Sequence, residues 1–371
     1  MKVAIIGAKG YPYVYGGYDT FVKELAERLI TKNIAVTIYC HKKLFSQRPK
    51  QVNGINLKYI TAIETKSLSQ LTHSFLSFIN ACFSDADIIL TVNSANGPFG
   101  LLTKLFRKKT IINVDGLEWK RPKWKGLGSK YFWLASWLST KLFDQIVTDA
   151  EEMQKIYLDT FNCHSTVIAY GANECTAKKT GILERLSIQA REYYLIIGRL
   201  IPDNNADILI EGFSNAKSHK KLVIVGDVSY KDAYAQKIKD LQTKNIIMAG
   251  YITDNSELLE LYQNCFAYIH GHEFGGTNPT LIQALACNCA ILALDTPFSK
   301  EMLSNYRFGL SFQKETASVA AQMQYLENNP EEAQKLRLQS VNGISAKYTW
   351  DAITHQYIQL MNGLITRKNK L

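Results

Sequence analysis

Two stretches, KVAIIG at 2–7 and YYLIIGRL at 193–200, are unbroken apolar runs that meet a glycine, and each is followed by a polar loop, a helical segment and a second apolar run. After the first comes DTFVKELAERLITK, with Phe21, Val22, Leu25, Leu29 and Ile30 at helical spacing, and then AVTIYC at 35–40. After the second come IPDNNADILIEGFSNA and KLVIVGD at 221–227. An apolar run without alternation suits a strand buried on both faces, and strands joined through a crossover helix pair in parallel. A chain that starts this pattern twice is predicted to be α/β, with two successive Rossmann-like, doubly wound domains.

INLKYI (55–60), ADIILTVN (86–93), TIINVDG (110–116), QIVTDA (145–150) and STVIAYG (165–171) extend the first set of strands. NIIMAGYI (245–252), FAYIHG (266–271) and AILALD (290–295) extend the second. The domains are read as residues 1–172 and 173–349. The amphipathic helix expected over 350–371 is predicted to cross back onto the first domain. In doubly wound sheets a ligand sits beyond the carboxyl ends of the strands, so one cleft between the two domains is expected.

A length of 371 residues suits two cores. The apolar start is short and ends in glycine, so it reads as a buried strand and not a secretory leader. No run approaches the ~18 apolar residues of a membrane span. Seven scattered cysteines predict reduced thiols and a cytoplasmic protein. Cys287 and Cys289 read as small buried hydrophobes, because no second Cys/His pair completes a metal site.

Charge is uneven. Residues 1–179 hold 24 Lys+Arg against 14 Asp+Glu, whereas residues 180–371 hold 19 of each, so the net +10 belongs to the first half. There, KLFRKK (104–109) supplies Lys108 and Lys109. WKRPKWKGLGSKYFWLASW (119–137) interleaves Trp119, Trp124, Trp133 and Trp137 with Lys120, Arg121, Lys123 and Lys125. Cations with amphipathic rings suit an anionic membrane surface. The alternatives are core tryptophans of a helical segment, or a nucleic-acid face. The reading adopted is peripheral contact with the inner face of the cell membrane, with no nucleic-acid partner.

HEFGGTNPTLIQA (272–284) carries the most chemistry. A helix start presents unpaired amides and a partial positive charge, so Gly275, Gly276, Thr277 and Asn278 can close on a phosphate, with Glu273 free for sugar hydroxyls. The alternative is an ordinary turn capped by Thr277 or Asn278. Arg199 follows a strand directly and suits forked contact with a diphosphate, unless it is a structural ion pair. Tyr251, in GYITD, either stacks on a nucleobase or packs. GAKGYPYVYGGYDTF lacks both the GxGxxG and the GxxxxGK[ST] patterns. Its Gly16 and Gly17 can still bring backbone to the diphosphate, the alternative being plain turn chemistry. Asp115, in NVDGLEWKR, is the candidate for positioning an acceptor or sugar hydroxyl, as is Glu118, although both have Lys120 and Arg121 nearby as ion-pair partners. His272, beside Glu273, is expected at the donor sugar, and His270 in the core.

Together, YGGYDTFVKEL, NVDGLEWKR, GRLIPDNN and HGHEFGGTNPTLIQALAC resemble the bacterial GT-B glycosyltransferases of family 4, in particular the subgroup that includes rhamnosyltransferases of capsule and O-antigen synthesis. The resemblance runs from the first strand to the last helix. It implies a hexosyltransferase that retains configuration, uses no metal or other cofactor, and moves a sugar from a nucleotide-diphosphate donor to a lipid-linked oligosaccharide. The subgroup implies dTDP-L-rhamnose as donor, with a UDP- or GDP-sugar as the alternative. It also implies phosphate binding by Arg199, sugar contact by Glu273, and a glycine loop at Gly16 and Gly17. Three positions depart from the pattern: Gln283 where many relatives carry a ribose-binding Glu, Asn204 in place of a second phosphate-binding lysine, and Asp19 where Glu is usual. These departures also admit a sugar-nucleotide-binding subunit without activity.

Overall fold

The apolar runs form two sheets whose central strands are buried along nearly their whole length. In the computed structural model, described for residues 1–13, 16–65, 68–114, 116–121, 124, 126–173, 175–176, 178–228, 232–344 and 346–366, the chain divides into two compact units. The first comprises Met1–Gly171 and Thr349–Leu371, and the second Ala172–Tyr348.

The first unit runs β1 (Lys2–Ile6), α1 (Gly17–Thr31), β2 (Ala35–His41), β3 (Gln51–Val52), β4 (Ile55–Ile60), α2 (Ser69–Cys82), β5 (Ile88–Val92), α3 (Gly100–Leu105), β6 (Lys109–Val114), α4 (Leu127–Leu142), β7 (Gln145–Thr148), α5 (Glu151–Phe161) and β8 (Thr166–Val167). Its sheet order is β3-β4-β2-β1-β5-β6-β7-β8, parallel except for the β3–β4 hairpin. The second unit runs α6 (Ile182–Arg185), β9 (Tyr193–Ile197), α7 (Ala206–Ala216), β10 (Lys221–Val225), α8 (Ala233–Lys239), β11 (Ile246–Gly250), α9 (Asn255–Asn264), β12 (Ala267–His270), α10 (Pro279–Ala286), β13 (Ile291–Leu294), α11 (Pro297–Met302), β14 (Leu310–Phe312), α12 (Thr316–Asn328) and α13 (Pro330–Ser340). Its order is β11-β10-β9-β12-β13-β14, parallel throughout. Each order reverses once, at β1/β5 and at β9/β12, which makes both units doubly wound.

The last helix, α14 (Trp350–Thr366), belongs to the first unit. Phe21 of α1 packs its ring 5.3 Å from that of Tyr357 and 5.1 Å from that of Tyr170, and Asn113 Nδ2 donates to the Tyr357 hydroxyl at 2.8 Å. Burial of such rings supplies about 1.5–3 kcal/mol each, so α14 is held by core packing. Among the described residues no helix is long and apolar enough to cross a membrane.

The expectation of seven reduced thiols does not hold. Cys175 and Cys287 form a disulfide, with Cα atoms 5.0 Å apart, within the usual range for such a bond. A separation of 112 residues left no trace of this pairing in the spacing. The two meet because the segment entering the second unit runs against the end of α10. Cys289 is buried as a small hydrophobe, as expected.

Candidate functional site

Where the second sheet reverses order, β9 delivers Gly198 and Arg199, and its neighbour β12 delivers Gly271, His272 and Glu273. Glycine lets these strand ends crowd together. Gly226, just past β10, sits at φ +135°, and a Cβ there would lie 1.9 Å from the Gly198 carbonyl oxygen. The two loops are then tied by hydrogen bonds. Asn205 Nδ2 donates to the Gly271 carbonyl at 2.8 Å, and the Glu273 amide to the Asp203 carbonyl at 3.0 Å. Asn204 Nδ2 donates to the Arg199 carbonyl at 2.8 Å, so Asn204 holds the arginine's backbone. The Arg199 side chain is exposed and makes no hydrogen bond or ion pair among the described residues.

After β12 the chain turns through Gly275, at φ +124°, a conformation that costs a side-chain-bearing residue strain. Helix α10 is capped by Asn278, whose Oδ1 accepts from the Thr280 amide at 3.0 Å, while Thr277 lies buried behind it. Among the described residues the amides of Gly275 and Gly276 donate to no acceptor. They line a small crevice with His272, Glu273 and Asn278, closed on the far side by Thr296, Ser299 and Met302 of the turn into α11. Sequence reasoning missed that wall, although ALDTPFSK repeats the order of strand, capping residue and proline seen at α10. It also missed Lys314. This lysine follows β14 in the chain, yet its Nζ lies 2.6 Å from Glu273 Oε2, bringing a cation to the crevice.

His270 is a core residue. Its Nδ1 lies 3.3 Å from the Tyr268 hydroxyl, which donates to Thr280 Oγ1 at 2.8 Å; Thr280 in turn donates to Asn278 Oδ1 at 2.8 Å. With those hydroxyl protons committed onward, Nδ1 of His270 carries the ring's proton. Burial pushes the pKa of His270 down to about 3, so the ring is neutral. His272 stacks on it at 4.5 Å and borders Gly198.

Gln283 and Tyr251 are not among the residues lining the crevice. The Gln283 amide pairs with one peptide unit: Oε1 accepts from the Asn173 amide at 3.2 Å and Nε2 donates to the Asn173 carbonyl at 3.1 Å. Replacing Nε2 with a carboxylate oxygen would set it against that carbonyl. Gln283→Glu is therefore expected to destabilise the second unit by about 1–3 kcal/mol, read as a lower urea midpoint. An unchanged midpoint would show that this pairing is dispensable. Tyr251 follows edge strand β11 and is half exposed.

In the first unit, Gly16 is the N-cap of α1 and Gly17 its first residue. Asp19 folds back over this start, accepting from the Lys9 amide at 3.0 Å and the Gly16 amide at 3.2 Å. Asp115, Lys123 and Lys125 lie outside the described residues. Glu118 accepts from Trp124 Nε1 at 2.7 Å and lies 3.1 Å from Arg121 Nε. Trp119 packs edge-on against Tyr157 and Phe161. Lys108 Nζ donates to the carbonyls of Ser84 and Ala86 at 2.6 and 3.2 Å, Lys109 opens β6, and Lys120 is exposed. Trp133 and Trp137 of α4 are exposed, so the four tryptophans divide between packed and solvent-facing pairs.

Comparison with known proteins bears on the fold. Residues 182–340 match the family model described as glycosyl transferases group 1, and residues 1–173 match a domain of unknown function, DUF1972. Over 130 residues the chain is 29% identical to an N-acetylgalactosamine-N,N'-diacetylbacillosaminyl-diphospho-undecaprenol 4-alpha-N-acetylgalactosaminyltransferase of Campylobacter jejuni, covering 34% of each chain. The curated relatives are matched over only 34% to 56% of their own length. Among solved structures, a sucrose-phosphate synthase of Thermosynechococcus elongatus superposes with a TM-score of 0.83 at 16% identity, over 99% of both chains. HepE of Anabaena, solved in complex with UDP, superposes with a TM-score of 0.76 at 14% identity, over 98% of this chain and 100% of that one. Likeness across the whole length shows the GT-B fold.

Proposed function

We propose, for a chain of GT-B fold whose residues 182–340 match the model of the group 1 glycosyl transferases, that it moves a sugar from a nucleotide-diphosphate donor to a lipid-linked glycan with retention of configuration. One observation carries this reading: an exposed arginine and two glycine amides, none of them with a partner among the described residues, share the loops at the switch point of the second sheet. In this reading Arg199 and the amides of Gly275 and Gly276 bind the diphosphate. As the bond from the anomeric carbon to the phosphate oxygen breaks, they take up the charge developing on that oxygen. The acceptor oxygen bonds to the same face of the anomeric carbon, and its proton passes to the departing phosphate. Glu273, held by Lys314, and His272 orient the sugar hydroxyls. Asp115 and the Gly16–Gly17 turn serve the acceptor and the diphosphate from the first unit. No metal takes part in this scheme.

The donor is proposed to be dTDP-L-rhamnose, on the resemblance of GGYDTF and HGHEFGGTNP to the rhamnosyltransferase subgroup. A UDP-sugar is the second reading, favoured by the UDP complex of HepE. A thermal-shift series over UDP, dTDP and GDP nucleotides, followed by transfer assays on polyprenyl-diphosphate-linked glycans, separates them. No shift with any nucleotide would remove the donor site, and binding without turnover on any acceptor would leave only a sugar-nucleotide-binding subunit.

The lipid-linked acceptor places the first unit at a membrane, and α4 presents a matching face. Leu127, Leu134 and Trp137 are exposed along one helical stripe, with Lys130 and Lys141 on the same stripe and Trp133 beside it. The double substitution of Leu134 and Trp137 by serine is expected to weaken cosedimentation with phosphatidylglycerol vesicles by about ten-fold. Equal binding by the variant would rule out this face.

A further inference from the structure

The opposite edge of the second sheet carries a concavity of about 540 Å³, lined by Arg191, Asn288, Gln334, Arg337, Leu338 and Val341. Arg191 lies just before β9, whose far end carries Arg199, and Asn288 lies just past the end of α10, whose start is at the crevice. The strand separates the two places by roughly 15 Å at ~3.3 Å per residue.

Among the described residues no carboxylate lines this concavity, although two guanidinium groups do. Arg191 Nη1 donates to the Cys265 carbonyl at 2.7 Å, and Arg337 Nη2 to the Phe266 carbonyl at 3.2 Å. Neither arginine makes an ion pair among the described residues, and the buried Nε of Arg337 has no acceptor. Both Arg337 and Lys220 lie over the face of Phe266, at 5.7 and 4.5 Å, and Lys220 takes up the neighbouring carboxylate of Glu192 at 3.1 Å. The carboxamides of Asn288 and Gln334 make no hydrogen bond among the described residues. Like charges held together with a buried donor unsatisfied destabilise a free protein, and an anion with several acceptor oxygens relieves both costs. Guanidinium forks and carboxamide donors match a tetrahedral phosphate, while Leu338 and Val341 offer an apolar wall to whatever the phosphate is attached to.

We propose that this concavity is a second phosphate-binding site, separate from the donor crevice, that takes a phosphate-bearing small molecule through Arg191 and Arg337.

The test uses the full-length protein carrying Arg199→Ala, which removes the donor-site cation and leaves the second site intact. Calorimetric titration with inorganic phosphate, with a hexose phosphate and with phosphatidic acid vesicles, against chloride at matched ionic strength, is expected to show binding of a soluble phosphate. Adding Arg191→Asn, which tolerates the left-handed backbone at that position (φ +66°), together with Arg337→Gln, is expected to weaken this binding by about ten-fold or more. Binding of vesicles alone would assign the site to a lipid headgroup and overturn the small-molecule proposal. No binding of any probe, or equal binding by the variant, would overturn the site itself. Should the double variant fail to fold, the exposed single variant Arg191→Asn carries the test, and an unchanged affinity there overturns the proposal. The readout is phosphate binding without donor or acceptor, so it is independent of glycosyl transfer.

Discussion

Arg199→Ala is expected to lower sugar transfer by roughly 10²- to 10³-fold while leaving the melting temperature unchanged. The two halves of this expectation have separate causes. Stability should hold because the Arg199 side chain is exposed and bonds to nothing else among the described residues, so its removal strands no partner. The backbone it leaves behind stays tied by Asn204 to its carbonyl. Activity should fall because, in the proposed reaction, Arg199 is the cation placed against the departing diphosphate. Asn204 occupies the position where a second was expected, Lys314 is paired with Glu273, and the donors from Gly275 and Gly276 are neutral amides. Arg199→Lys should recover part of the loss, since it restores the charge but not the forked contact. The measurement is kcat/KM with the donor that gives the largest thermal shift. A loss smaller than about five-fold, set against the ~3 kcal/mol typical of such donors, would place the diphosphate elsewhere.

Acidification is expected to destabilise both units before the carboxylates titrate. Each unit contains a fully buried histidine held neutral, His73 in α2 and His270 in β12. Burial first, and then the ring of His41 stacked 3.6 Å away, push the pKa of His73 down to about 3. Burial alone takes His270 to about 3, and His41 is lowered as well, chiefly by burial. In the unfolded chain these groups take protons near the ordinary value of about 6.5. Above that pH, stability is unaffected. Below it the unfolded chain binds protons that the folded chain refuses, at a cost of about 1.4 kcal/mol per pH unit for each histidine, until the folded values are reached. Near pH 5 each of the two histidines costs its own unit about 2 kcal/mol, a sizeable part of the ~5–15 kcal/mol available to a domain. Urea midpoints measured at about pH 7 and about pH 5 should therefore differ clearly. His73→Phe should flatten the dependence of the first unit only. Midpoints that do not move between the two pH values would mean that these rings protonate in place.

How far the chain could be read depended on how local each cause was. Two edge strands escaped notice for different reasons. β3 and β4 form a hairpin around Asn53 and Gly54, at φ +50° and +79°, and the Asn-Gly pair in QVNGIN was a usable turn signal. β14 has three residues, too few for any period to show. The crevice was half legible. Arg199, Gly275 and Gly276 stand next to strand ends that announce themselves, whereas Lys314 and Thr296 reach Glu273 and the crevice from later loops. The disulfide between Cys175 and Cys287 was invisible for the same reason. Gln283 was singled out through the family resemblance, at a position where relatives carry a ribose-binding Glu, but its bond to Asn173 joins segments 110 residues apart.

The linear order of residues was enough for the buried strands, their parallel pairing and the two doubly wound units, because continuous apolar runs that end in glycine and alternate with helical periods leave one economical way to bury both faces of a sheet. It was also enough to mark strand-end arginine and glycine as candidates, because the residues after a buried strand must emerge at one edge of the sheet. Which side chains meet there depended on packing. Lys314 beside Glu273, two arginines sharing a concavity at the opposite edge, and the division of four tryptophans between half-buried and exposed positions are all set by packing in space, and no spacing along the chain encodes it.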